Sequence, residues 1–449
     1  MGPPQLEVER PPRLTFDKPV NYVRWYNEQT SRGKTDNALG DYEPILVEPE
    51  IGGAQSIERE PIRDLTDEES RQLPKAGMRW KSGDAPLLAA YLENHRTQLT
   101  QFERASDHRN YYERFDEERL CLFEIEIRVL RIMRTYSKAL MADALHESKA
   151  NAESIFRAQR VILRSASHAE QTLTTVGGMV SVANQSQVYE HTLASLESGL
   201  LNPSDADAQY ETFQKFSPGT PNWRGIVAYE WATGLSGMQK ACSGGKSTVE
   251  NWRAFLRRVL PDNPDDPDDG KALTLAAASM NPSRSLGLIE DYYGEFFRIA
   301  GEPIRQRNVG RIRKARSQAV TDNLVDSVND FFCPDLSRAY ELTVRVESIR
   351  RATMLVLALH IHHEKHGKWP RTLEDIDPKL GLKGLKTYRI DTFSGEPFKY
   401  KLKDGRPLLY SVGTDGKDDN GTHHPKWGEG GAGGDYVYWP YQRAKDSGE

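Results

Sequence analysis

From about Gly83 onward the apolar residues of this chain recur at spacings of three and four. The clearest run is Leu122, Ile125, Val129, Ile132, Tyr136 and Leu140, which predicts one buried helical stripe. Comparable periodicity predicts helices around 150–175, 186–200, 205–215, 247–260, 285–300 and 318–331. Gly177-Gly178, Asn202-Pro203 and Pro218-Gly-Thr-Pro221 are read as breaks between them. No fixed repeat period emerges, so the pattern predicts an irregular domain of antiparallel helices rather than a solenoid. Over 336–366, Leu342, Val346, Ile349, Thr353, Val356 and His360 follow a 4-3-4-3-4 spacing. Glu341/Arg345 and Glu347/Arg351 add i,i+4 pairs, so a long amphipathic helix is expected there.

The period then changes to two. Phe398, Tyr400 and Leu402, followed by Lys403-Asp404-Gly405-Arg406 and then Leu408, Tyr410 and Val412, predict a hairpin whose tight turn uses Asp404-Gly405 at positive φ. A small antiparallel sheet over 386–440, packed on the C-terminal end of helix 336–366, is the expected arrangement. The fold class is therefore mainly α with a C-terminal α+β module. The first eighty residues alternate short apolar clusters, Asn21–Tyr26 and Tyr42–Val47, with Pro, Gly and acidic residues. They are read as an extended arm over 1–82, anchored by Trp25 and Tyr26 on a neighbouring core. A helical domain over 83–335 and an α+β module over 336–449 follow.

A chain of 449 residues exceeds one ordinary core and suggests two or three domains, with two preferred. Its 37% hydrophobic and 28% charged residues allow a core beneath a highly charged surface. The net charge of −5 offers no general attraction to nucleic acid or to an anionic membrane, so either partner would need a local basic patch. Cys121, Cys242 and Cys333 are too few and too dispersed for a disulfide framework or a Cys-x-x-Cys metal site, and Cys121 is expected in the core. No apolar stretch has the length needed to cross a bilayer, and the first ten residues lack the apolar stretch of a signal peptide. A proline-rich, charged start is also what remains when an anchor has been trimmed away.

Candidate chemistry concentrates at the C-terminus. The hairpin runs into Gly413-Thr-Asp-Gly-Lys-Asp-Asp-Asn-Gly421, where Asp415, Asp418 and Asp419, with Asp435 beyond, offer the carboxylate oxygens that Ca²⁺ prefers. Other motifs are weaker. Ser243-Gly-Gly-Lys-Ser-Thr248 resembles the end of a phosphate loop, but Lys240 stands where the first glycine belongs and no buried strand precedes it. The aspartates of 262–270 lack the frame of an EF-hand and are read as a solvated loop. Arg305, Arg307, Arg311, Arg313, Lys314 and Arg316 form a basic run without interleaved aromatics, which predicts a solvated face or intramolecular ion pairs rather than a nucleic-acid site. His360, His362, His363 and His366 cluster at a helix C-terminus, where they suit the dipole, but the zinc-protease pattern His-Glu-x-x-His is missing.

Taken together, the segments Leu357-Ala-Leu-His-Ile-His-His-Glu-Lys-His-Gly-Lys-Trp-Pro370, Thr372–Ile376, Asp391-Thr-Phe-Ser-Gly-Glu-Pro-Phe-Lys-Tyr400, Leu409-Tyr-Ser-Val-Gly-Thr-Asp-Gly416 and Gly434–Trp439 resemble the major pseudopilins of type II secretion, over about residues 338–440. In that family a helix ends in a Gly-x-Tyr-Pro turn, an Asp-Pro-x-Gly-x-Pro segment precedes a small antiparallel sheet, and a Tyr-Ser-x-Gly-x-Asp-Gly loop with a later Asp binds calcium. Lys368-Trp369-Pro370 matches the turn with Trp in place of Tyr. Asp391, Gly395, Pro397 and Tyr400 match the second element, with Thr392 where proline is usual. Asp415 and Asp435 match the calcium loop, whereas Asp418, Asp419 and the Gly-rich insertion 421–434 depart from it. A pseudopilin places a membrane-spanning helix at its start; here more than 330 polar and helical residues come first, so pilin-like polymerisation is not expected. The combination of a long helical domain with a pseudopilin-like tail is similar to envelope proteins of planctomycete-type bacteria that carry an N-terminal anchor.

These features lead to an expectation of a noncatalytic envelope or periplasmic scaffold or binding protein with a calcium-stabilised tail. Its partners would be envelope proteins, secretion components among them. No nucleic-acid partner is expected, and membrane association would come only through an anchor. The alternatives are an enzyme with a dispersed site between domains and an intracellular adaptor.

Overall fold

A computed structural model describes residues 7–46, 64–118, 121–259, 279–320, 328–424 and 434–442. The described helices are α1 (Tyr22–Ser31), α2 (Leu39–Leu46), α3 (Asp67–Arg71), α4 (Pro86–Asn94), α5 (Arg96–Ser106), α6 (Val129–Ala144), α7 (Ala152–Glu170) and α8 (Thr175–Glu197). They continue with α9 (Ala206–Phe216), α10 (Trp223–Ala241), α11 (Val249–Val259), α12 (Pro282–Ile299), α13 (Arg307–Ala319), α14 (Val328–Phe332), α15 (Ser337–His366) and α16 (Leu385–Tyr388). Strands β1 (Lys399–Lys403), β2 (Arg406–Ser411) and β3 (Tyr436–Trp439) form one antiparallel sheet in the order β1-β2-β3. The fold is thus mainly helical with a C-terminal α+β module, as the periodicities predict.

Two apolar cores lie within it. One gathers α2, α4 to α9, the greater part of α15 and one sheet face; the other gathers α1, α10 to α14 and the start of α15. Helix α15 therefore serves both. Tyr340 and Val344 enter one core, while Val346, Ile349 and the unbroken run Met354–Leu359 enter the other. Six consecutive buried positions cannot belong to a one-sided stripe, and this helix is enclosed by α8 and α9, by β2 and β3, and by α13 and α16. It ends where Gly367 adopts a left-handed conformation.

Burial of this helix carries charge with it. Glu347, buried, accepts from Arg350 Nε at 2.7 Å and from Arg351 Nε at 2.6 Å. Arg351 also donates to the carbonyl of Ile390 at 2.8 Å, which ties the helix to the chain entering the sheet. Burial alone would raise the carboxyl pKa, but the two guanidinium groups hold it down to about 2.

Several local expectations are corrected. Residues 7–46 and 64–82 are not an extended arm but contain α1, α2 and α3. Their Pro, Gly and Asn residues separate and cap short helices: Asn21 caps α1 by accepting from Arg24 N at 2.9 Å, and Thr66 with Glu69 forms a capping box on α3. Trp25 and Tyr26 are buried anchors, as expected. Leu122 and Ile125 precede the helix of their stripe; Leu122–Glu124 is a single 3₁₀ turn, and α6 begins at Val129. The stretch Phe123-Glu-Ile-Glu-Ile127 alternates with period two, and Leu122 N–H is held by Ser236 Oγ at 3.1 Å. Gly177-Gly178 does not break a helix but lies in the first turn of α8. Thr174 caps Gly177 N–H at 3.0 Å, and a Cβ at Gly177 would collide with Thr172 Oγ1. Helix α10 was not anticipated at all. In 318–331 the described parts are the end of α13 and the start of α14, and 321–327 lies outside the described residues, as does the aspartate loop 262–270.

Glu347→Gln leaves two buried guanidinium groups uncompensated and is expected to lower the unfolding free energy by about 3 kcal/mol, read from urea denaturation at neutral pH. Because the native pKa lies below the ordinary value of 4.5, the wild-type contribution is complete above that pH and is lost as pH falls toward about 2. The variant's acid-unfolding curve should lack this component.

Candidate functional site

The C-terminal module is assembled around Asp391. Its backbone N–H donates to Glu396 O at 2.8 Å and its carbonyl accepts from Gly395 N at 2.9 Å, closing the Asp391–Pro397 turn. Its buried carboxylate accepts from Phe393 N at 3.0 Å and from Ser411 Oγ on β2 at 2.7 Å. Ser348 on α15 receives the Tyr438 hydroxyl of β3 at 2.7 Å and lies 3.4 Å from the same carboxylate. One acid thus joins the helix, the turn and two strands. Burial raises its pKa, and the donors from Phe393 and Ser411 oppose that rise.

Strands β2 and β3 are buried on both sides while β1 is largely exposed, which alters the expected facing. Asp404 and Gly405 take the positive φ of a tight hairpin turn, with Tyr400 opposite Leu409 and Lys401 opposite Leu408. Leu409, Phe398 and Tyr438 face the core of α15, whereas Leu408 and Tyr410, expected on the helix-facing stripe, form a separate cluster with Val437 under the 413–424 loop. Leu402 remains exposed. Period two identifies the strands but not which side the helix covers when both sides are apolar. Tyr400 OH donates to Pro370 O at 2.8 Å, fastening the sheet to the Trp369-Pro370 turn.

The acidic loop folds over that second face. Gly421, at φ +84°, leaves room for β2, because a Cβ there would stand 2.9 Å from Leu408 Cδ2. Asp435 is buried; Oδ2 accepts from Gly421 N at 2.6 Å, and Oδ1 has no hydrogen-bond partner among the described residues. Burial raises its pKa, the amides of Gly421 and Asp419 oppose this, and the charges of Asp418 and Asp419 raise it further. Asp418 accepts from Tyr410 OH and Asn420 N, both at 3.0 Å, and pairs with Lys399 at 3.1 Å. Asp415 is exposed and accepts from Lys417 N within its own turn. The loop thus brings the charges of Asp418 and Asp419 to bear on Asp435. Among the described residues no three Asp, Glu, His or Cys side chains are grouped closely enough to hold a metal ion. Residues 425–433 of the insertion lie outside the description.

The other sequence candidates find structural roles. His360 packs edge-on against Trp369 and Trp439 at 5.3 and 5.1 Å, and burial takes its pKa down to about 4. His362 Nδ1 accepts from Asp377 N at 3.1 Å, His366 Nε2 lies 3.0 Å from Asp377 Oδ2, and His363 stacks on Trp369. The basic run is on and before α13. Arg311 pairs with Glu302 at 2.6 Å, Arg313 with Glu341 at 3.5 Å, and Arg316 with Asp330, so these three arginines are spent on intramolecular pairs. Ser243–Gly245 is a 3₁₀ turn after helix α10, a context without the strand of a phosphate loop. All three cysteines are buried.

A second concave site was not read from the sequence. A cleft of about 990 Å³ opens beside α6, lined by its charged face, by the chain entering it, and by the start of α8 and the middle of α10. Its carboxyl group Glu230 is hydrogen-bonded by Thr175 Oγ1 at 2.7 Å, and burial raises its pKa. The available signal was the polar stripe of α6, Arg128, Arg131, Arg134 and Lys138, opposite the apolar stripe. No family model matches this chain, and no curated protein or solved structure does so either.

Asp391→Ala removes the acceptor of Phe393 N and Ser411 Oγ and should lower the unfolding free energy by about 1–3 kcal/mol. Urea denaturation followed by tryptophan fluorescence measures this. Asp391→Asn, which retains an acceptor oxygen, should lose less.

Proposed function

We propose that this chain is a noncatalytic scaffold or binding protein of the cell envelope, with a pseudopilin-like C-terminal module stabilised by Ca²⁺ at the 413–435 loop. Its partners are other envelope proteins, secretion components among them. The observation that supports this reading is the buried Asp435, whose Oδ1 lacks a hydrogen-bond partner among the described residues and lies near the charges of Asp418 and Asp419. A buried carboxylate oxygen left without a partner is costly, and mutual repulsion of nearby carboxylates adds to that cost. A hard cation relieves both, and calcium coordination accepts carboxylate and backbone carbonyl oxygens. Asp435, Asp418 and Asp419 would have to draw closer than their present spacing to hold it, and Asp415, from the resembling loop, would join only by turning from Lys417 N. The cation would supply charge neutralisation between Asp435 and the carboxylates of Asp418 and Asp419. Tyr410, Lys399 and Gly421 position the carboxylates through the contacts described above.

Calorimetric titration of the full chain tests the metal. Heat on adding Ca²⁺ and a rise in melting temperature are expected, with a gain of about 2.7 kcal/mol at a free concentration about a hundredfold above Kd. Asp435→Asn keeps an acceptor for Gly421 N and should fold yet lose the response. Absence of heat, with an unchanged melting temperature at millimolar calcium, would overturn the calcium reading. The sign of the pH dependence follows from the raised pKa: without calcium, the loop's contribution falls as pH rises past the ordinary aspartate range, and calcium should offset that fall.

The ion pairs of Arg311, Arg313 and Arg316 support a reading without nucleic acid. Fluorescence anisotropy with labelled DNA and RNA should show negligible salt-sensitive binding at physiological ionic strength. Micromolar binding that neutralising these three arginines abolishes would contradict it.

A further inference from the structure

We propose that the cleft beside α6 binds a monomeric amphiphilic anion: a carboxylate head on a single hydrocarbon chain. This site is separate from the calcium loop and does not depend on it.

The head group is assigned from charge. Arg128, Arg131, Arg134 and Lys138 follow spacings of three, three and four along α6, which puts four cations on one face, and all four line the cleft. Three carboxyl groups line it as well. Asp64 lies 3.9 Å from Arg131 and accepts from Thr135 Oγ1 at 2.5 Å; Glu126 is exposed at the entrance to the helix; Glu230 stands across the cleft on α10. Glu230 is buried and hydrogen-bonded by Thr175, and burial raises its pKa while the Thr175 donors oppose the rise; the four cations outnumber the three carboxyl groups of the lining. Among the described residues no carboxylate lies within ion-pair distance of Arg128, Arg134 or Lys138. Lys138 is half-buried, and desolvation together with the charge of Arg134 lowers its pKa, against an opposing effect of the Asp64 charge. An anion in the cleft relieves this repulsion; a cation increases it.

The tail is assigned from the apolar part of the lining. Phe123, Ile125 and Ile127 on the chain entering α6, with Val176 and Val180 on α8, present apolar surface to the same space. Val176 is 62% exposed, the most exposed of the large apolar side chains among the described residues. A cleft of about 990 Å³ is of the size that encloses a small organic ligand, and this one is lined by both charged and apolar side chains. Inorganic anions satisfy only the charged side chains and neutral hydrocarbons only the apolar ones. The two together select an amphiphile.

Titration of the full-length chain with dodecanoate below its micellar concentration, followed by calorimetry, tests the site. The full chain is used because Leu46 and Asp64, on either side of residues 47–63, both line the cleft. Saturable binding is expected, with dodecylammonium and inorganic phosphate each at least about tenfold weaker. The double variant R134E/K138E should fold, since Arg134 is exposed and Lys138 half-exposed, and should lose at least about tenfold in affinity. Val176→Asp, at an exposed position, should weaken dodecanoate while leaving the melting temperature unchanged. Failure to bind dodecanoate, equal binding of dodecylammonium, unchanged affinity in R134E/K138E with native melting, or binding confined to anionic vesicles would each overturn the proposal.

Discussion

The constraint on which this structure depends is the burial of α15 from every side. A helix covered on one face can leave its charges in water; one enclosed by helices, a sheet and a loop cannot. Arg350 and Arg351 therefore each donate to the carboxylate of Glu347, and Arg351 also donates to Ile390 O. The desolvation cost of such a cluster is large, and its pairing is what makes the burial tolerable. Its structural consequence is positional: the carbonyl of Ile390 is fixed one residue before Asp391, the acid around which the sheet is assembled.

From that point the C-terminal module follows as a series of dependent contacts. Asp391 joins Ser348 of the helix to Ser411 of β2, and Tyr438 of β3 returns to Ser348. The strand between them is apolar on both faces, so the sheet needs a second cover, which the 413–424 loop supplies. Covering the sheet this way buries Asp435 with one oxygen unpartnered among the described residues and brings the charges of Asp418 and Asp419 near it. The electrostatic tension of the loop is thus a product of packing, and the cation proposed there acts on that tension.

The cleft beside α6 arises from a different circumstance. Helix α6 uses one face for the core and turns its arginines outward, toward a gap bounded by the starts of α6 and α8 and by α10. In the basic run on α13, by contrast, Arg311, Arg313 and Arg316 meet acids supplied by α15, by the turn after α12 and by α14. Two stretches of similar composition therefore have different chemistry: Arg311, Arg313 and Arg316 each meet an acid, whereas of the cations on the α6 face Arg131 pairs with Asp64 and Arg134 and Lys138 have no acid at ion-pair distance among the described residues. Composition records the charge, and tertiary neighbours decide whether it remains available.

What the sequence determined by itself was local. Spacings of three and four placed α7, α9, α12 and α15, and alternation with Asp404-Gly405 placed the β1–β2 turn, because these signals depend on backbone geometry within a few residues. The same local reading failed where a residue's role lay with a distant partner. Gly177 appeared to be a breaker but is required by Thr172, and Leu122 appeared helical but is held by Ser236. At the acidic loop the sequence marked four aspartates of equal standing. Only the tertiary structure separated exposed Asp415 from buried Asp435, because burial and hydrogen-bond satisfaction belong to the packed chain and not to any segment of it. The facing of β2, the pairing of the α13 arginines and the cleft beside α6 were decided in the same way, by which surfaces came to lie against one another.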